Sequence, residues 1–133
     1  MTIPPLLLPW PPRACSPNRS RAGNWRARTT AAKAYKRDCF VLALAGGWNA
    51  AAGKRLGDSA LMLRLEFIQP NRIRRDDDNL IAAFKSGRDA VAQALAIDDA
   101  RFSLQVHMLP PDPVLRDPMG RKGVVRASIE VLP

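Results

Sequence analysis

The stretch Ala60-Leu61-Met62-Leu63-Arg64-Leu65-Glu66-Phe67 carries leucine or phenylalanine at every second position, with arginine and glutamate among the residues between. Successive side chains of a strand point to opposite faces, so the run reads as a strand that buries Leu61, Leu63, Leu65 and Phe67 on one side only. The same period returns twice. Phe102, Leu104, Val106 and Met108 alternate with Ser103, Gln105 and His107, and Val125, Ala127, Ile129 and Val131 alternate with Arg126, Ser128 and Glu130. Strands apolar on one side need a cover on that side alone. Leu80, Phe84, Gly87, Val91, Ala94 and Leu95 recur at helical spacing, which predicts a covering helix from Asn79 to about Ala96.

Working outward, Leu6 to Leu8 predicts a short strand ended by Pro9-Trp10-Pro11-Pro12, because proline supplies no ladder N–H. The chain then reads as loop as far as Arg28. A second helix is expected with Thr29 or Thr30 as N-cap, running through Tyr35, Phe40, Val41 and Leu44 to the stop at Gly46-Gly47. Residues 49 to 59 read as a surface loop, and Pro110 to Lys122, rich in Pro, Asp and Gly, as a mobile connection. The expected fold over residues 1–133 is a single small α+β domain, a mixed or antiparallel sheet of about four strands covered by helices on one face.

At 133 residues, with 47% hydrophobic and 25% charged side chains, the chain suits one soluble domain. Lysine and arginine number 21 against 12 acids, a net charge of +9, which favours a polyanionic partner and nucleic acid first. The excess is uneven, since no acid precedes Asp38 while Arg13, Arg19, Arg21, Arg26, Arg28, Lys33, Lys36 and Arg37 all do. A basic arm of this kind is either a solubilising segment or a phosphate-contact surface. The opening residues have no basic n-region, and prolines break their apolar run, so they fail as a signal peptide or a membrane span. A cytoplasmic protein without a membrane partner is expected. Cys15 and Cys39 have no metal-ligand spacing and are expected as free thiols. His107 alone leaves triads and histidine metal clusters little to build on, and is expected exposed or at a sheet edge. Gly47 to Lys54 fails as a phosphate loop, with Trp48 where glycine is needed and Arg55 where serine or threonine is needed.

The acids are clustered. Asp76-Asp77-Asp78 directly precede the covering helix and Asp98-Asp99 follow it. One of the first three is accounted for as an N-cap favoured by the helix dipole. Three are not, and like charges this close call for a cation. A hard divalent ion takes oxygen ligands from a few carboxylates and keeps waters for a phosphate. Arg72, Arg74 and Arg75 beside the acids would hold a phosphate backbone, and a basic groove around an acid centre is a layout for metal-dependent phosphodiester cleavage. A capped, solvated charge run is the competing reading.

Leu8-Pro9-Trp10-Pro11-Pro12, Arg74-Arg75-Asp76-Asp77-Asp78-Asn79-Leu80 and Asp98-Asp99 before a strand, in that order over nearly the whole chain, resemble the RusA Holliday junction resolvases of bacteria and their phages. The resemblance implies a homodimeric endodeoxyribonuclease that resolves four-way branched DNA by paired symmetric nicks in recombination and repair. It implies Mg²⁺ held by Asp76, Asp78 and Asp99 as the catalytic acids. The family lysine falls at Ala82. The nearest lysine, Lys85, shares nearly the azimuth of Asp78 if the helix is continuous, which would let it reach substrate. Arg19, Arg21, Arg26, Arg28, Arg72, Arg74 and Arg75 are the candidate DNA contacts, with Asn18 and Trp25 weaker candidates and Tyr35 assigned to the core. Asp98 is expected to cap or orient. The alternatives are a non-catalytic basic DNA-binding protein of the same fold and an RNA-binding domain.

Overall fold

The alternating run forms strand β2, Leu61–Ile68, in the computed structural model, which describes residues 3–16 and 25–133. Beside it stand β1 (Leu6–Pro9), β3 (Phe102–Leu109) and β4 (Val124–Val131), in the spatial order β1-β4-β2-β3. β4 is antiparallel to both β1 and β2, whereas β3 is parallel to β2, so the sheet is mixed. Parallel neighbours need a crossover. Helices α3 (Asp77–Ala83) and α4 (Lys85–Leu95) provide it, and α1 (Trp25–Ala45) and α2 (Ala50–Arg55) complete the helical cover.

Leu61, Leu63, Leu65 and Phe67 are buried in one core with Tyr35, Cys39, Val91 and Leu95, as the period of two requires. Each such side chain contributes roughly 1.5–3 kcal/mol when fully removed from water. Tyr35, Cys39 and Ala43 are the buried stripe of α1, spaced by four. The Tyr35 hydroxyl donates to the Pro9 carbonyl at 2.5 Å, tying α1 to the end of β1. Both cysteines are free and buried, and burial pushes the Cys39 thiol up to about 12. No described helix is long and apolar enough to cross a membrane.

Four local expectations are corrected. α1 already includes Trp25 to Arg28, and Thr29 does not cap it. Its hydroxyl donates to the Trp25 carbonyl one turn back at 2.7 Å, a bond inside the helix. Residues 49 to 59 are not all loop. Asn49 caps α2 by accepting from the Ala52 N–H at 2.9 Å, and the helix packs so closely on α4 that a Cβ at Gly53 would lie 1.9 Å from the Leu95 carbonyl oxygen.

The covering helix is broken at Phe84, which caps both α3 and α4. Its ring turns into the core, edge-on to Phe67 at 6.0 Å and Tyr35 at 6.2 Å, and lies over Gly87, where a Cβ would be 2.6 Å from it. The segment Pro110–Lys122 is pinned rather than loose. Asp112 Oδ1 accepts from the N–H groups of Val114 and Leu115, and buried Asp117 accepts from those of Met119 and Arg121.

Candidate metal and nucleic-acid site

Strand register gathers the site. Pro9 and Ile68 both pair with Val124, and Ile68 pairs with Leu109. The connections after β1 and β2 and the one between β3 and β4 therefore meet at one end of the sheet. A cleft of about 1050 Å³ opens there, lined by Trp10, Arg13, Arg74, Asp76, Asp78 and Asn79 among others.

Trp10 is positioned by its edge-on contact with buried Phe67 at 5.9 Å, and the prolines around it restrict its backbone. The Arg75 guanidinium lies over its ring, 5.4 Å from the centroid, and donates to Gln69 Oε1, Asn71 Oδ1 and the Ile73 carbonyl. Burial holds the Arg75 pKa below the ordinary arginine value. Arg75 thus pins the loop between β2 and α3 while it also lines the cleft. Arg72 and Arg74 on the same loop are exposed.

Asp76 caps α3, its Oδ1 accepting from the Asp78 N–H at 2.9 Å. One oxygen of the carboxylate remains for another partner. Asp77 and Asp78 occupy the first turn of α3, and all three acids are exposed. The N-terminal helix dipole offsets part of their repulsion.

Asp99 is elsewhere. It lies in a 3-10 turn, Asp99–Arg101, that leads into β3 at Phe102, which pairs with Leu61 at the far end of β2. Its carboxyl meets Asp89 of α4, whose pKa is raised first by burial and then by the hydrogen bond and charge of Asp99. Lys36 and Lys85 partly offset this. The Asp99 carbonyl accepts from Arg88 at 3.3 Å. Asp98 is the cap of this turn, accepting from the Ala100 N–H at 2.9 Å.

α3 and α4 meet at Phe84, whose N–H donates to the Leu80 carbonyl and whose carbonyl accepts from the Arg88 N–H. Lys85 opens α4, exposed, in the field of Asp89, and does not line the cleft. Arg26 and Arg28 are exposed on the first turn of α1, with the Arg26 guanidinium over the Trp25 ring at 5.2 Å. Arg19, Arg21 and Asn18 lie outside the described residues. Among the described residues, no three His, Cys, Asp or Glu side chains form a group able to hold a metal ion.

Arg13 was legible only as part of the basic arm and Trp10 only as part of the Pro-rich motif, and Asp89 beside Asp99 was not legible as a site residue. Their roles depend on register and on the break in the crossover. The Pro-Trp-Pro-Pro rigidity was the one local signal for Trp10.

No protein-family model matches the chain. It is similar to an uncharacterized protein of Xylella fastidiosa (strain Temecula1 / ATCC 700964), with 41% identity over 97 residues, which is 73% of this chain. The matched segment spans 61% of that relative's length.

Proposed function

We propose that the protein is a Mg²⁺-dependent, structure-selective endodeoxyribonuclease of the RusA type that nicks four-way branched DNA symmetrically in the cytoplasm. The observation that carries the reading is the cleft at the sheet end, where Asp76 and Asp78 open a helix beside Arg13, Arg74 and an aromatic wall at Trp10. Its possible ligand atoms are side-chain oxygens, of Asp76, Asp77, Asp78, Asn79 and Ser16, without thiolate or imidazole. That set fits a hard dication whose remaining positions are filled by water and phosphate, as Mg²⁺ prefers. Asp76 and Asp78 would hold the ion. When bound, Mg²⁺ supplies charge stabilisation on the scissile phosphate and a water of lowered pKa. The chain's own residues do the rest. Arg13 and Arg74 bind the backbone that enters the cleft, and Asp76 keeps its orientation through its bond to the Asp78 N–H.

A two-fold dimer is part of the proposal, because a symmetric junction cut on two strands needs two matching sites. Asp76 and Asp78 supply the proposed carboxylates at the cleft, and Asp99, which meets Asp89 of α4, does not line it. The competing reading, a non-catalytic DNA-binding protein, rests on the same basic surface without the acids. Incubating the protein with a labelled four-way junction, with and without Mg²⁺, decides between them. Paired nicks that appear only with the metal, and not with Asp78→Asn, support the nuclease. Tight binding without nicks in any divalent ion rejects it.

A further inference from the structure

The sheet end that carries the cleft also carries the three most exposed large apolar side chains among the described residues. They are Val114 at 84%, Met119 at 74% and Ile73 at 64% exposure. Apolar tips gathered on one side of a soluble molecule mark a contact surface. All three are held in hydrogen-bonded turns, Val114 by the bond of its N–H to Asp112 Oδ1. The Ile73 N–H donates to Asn71 Oδ1 at 3.1 Å, and Arg75 donates to the Ile73 carbonyl at 3.0 Å. The Met119 N–H donates to Asp117 Oδ1 at 2.9 Å, and the other oxygen of Asp117 accepts from Arg121 Nε at 2.9 Å. Asp117 is the one buried charged residue among those described, so ionic anchoring in the interior serves this exposed turn. The two connections approach each other at Pro70 and Gly123, where a Cβ on the glycine would be 3.0 Å from the proline ring.

The charges nearby indicate what covers the tips. Arg72, Arg74 and Lys122 share these loops and form no ion pair among the described residues. A nucleic acid offers such cations its phosphates, and offers apolar tips the faces of its bases wherever stacking is interrupted. A continuous duplex hides those faces and a branch point exposes them. We propose that Ile73 and Met119 enter an unstacked base step at a DNA branch point while Arg72, Arg74 and Lys122 hold the flanking phosphates. The proposal rests on the DNA reading above and adds the feature selected, interrupted stacking rather than base sequence.

The test compares the wild-type chain with an Ile73→Ser/Met119→Ser double variant, without Mg²⁺, on a four-way junction and a duplex of equal length. The junction carries 2-aminopurine at its branch point. The double variant is expected to lose on the order of tenfold in junction affinity, the scale of one lost base contact, with duplex affinity unchanged. The 2-aminopurine brightening seen with wild type should be absent. Ile73→Leu/Met119→Leu, which keeps apolar tips, should retain both signals and shows that any loss is not misfolding. A double variant that keeps its junction preference, or loses both DNAs equally, overturns the wedge and leaves the DNA reading standing. Wild type that binds neither DNA overturns both. Lost self-association with junction preference intact assigns the tips to a protein contact, which also overturns the proposal.

Discussion

Asp76 is both a helix cap and a proposed metal ligand, and two substitutions separate these roles. Asn keeps a side-chain oxygen that can accept from the Asp78 N–H, the bond measured at 2.9 Å, but loses the charge. Ala loses both. Removing an Asp cap costs about 1 kcal/mol. A chain of 133 residues unfolds with an entropy near 0.28 kcal/mol per kelvin, so Asp76→Ala should lower the Tm by about 3–4 °C. Asp76→Asn should leave the Tm within about 1 °C. Both variants should lose junction cutting by a factor of about 10² or more, because the remaining carboxylate is left to hold the ion alone. Junction affinity should hold or rise, since less negative charge faces the phosphates. Far-UV circular dichroism melts give the first pair of numbers, and single-turnover cutting with excess protein gives the second. If Asp76→Asn cuts at the wild-type rate, Asp76 is a cap and nothing more. If the two variants melt alike, the 2.9 Å bond does not stabilise α3 as argued.

Gly53→Ala places a methyl 1.9 Å from the Leu95 carbonyl oxygen, so α2 must move off α4 at a cost of about 3 kcal/mol and about 10 °C in Tm. A melt within about 2 °C of wild type would mean that residues 49 to 59 are the loose loop the sequence suggested. The two loop arginines should differ. Arg74→Ala should flatten the salt dependence of DNA binding by a slope of about 0.9, while Arg75→Ala should lower the Tm and leave the slope unchanged. Equal slopes in titrations of both variants would refute the assignment of Arg75 as the loop's pin.

The sheet was readable because period two needs no tertiary information. Leu61 to Phe67 and Val125 to Ile129 display their buried face in the order of residues alone and are buried as expected, whereas Val131 at the end of β4 is exposed. α2 was hidden because Ala50–Arg55 has no apolar stripe, and its packing depends on the absence of a side chain at Gly53. Phe84 misled for the opposite reason. It sits in phase with one long helix, yet its contacts with Phe67 and Tyr35 come from distant parts of the chain. The candidate site divides along the same line. Asp76 and Asp78 are neighbours in sequence and stay neighbours in space. Asp99 is grouped with them by resemblance, but register carries it to the other end of β2.

β4 stands between β1 and β2 although it is the last strand in the sequence, and Leu6 pairs with Ala127. During synthesis β1 therefore leaves the ribosome without a neighbour, and β2 can pair only with β3 until Val124–Val131 is made. Closure of the sheet is a late, long-range step, slow by the usual dependence of rate on sequence separation. Until then the inner edges of both early strands are open to other chains. Solubility during expression should accordingly depend on how quickly β4 docks, and slow translation after Leu109 would lengthen the exposed interval.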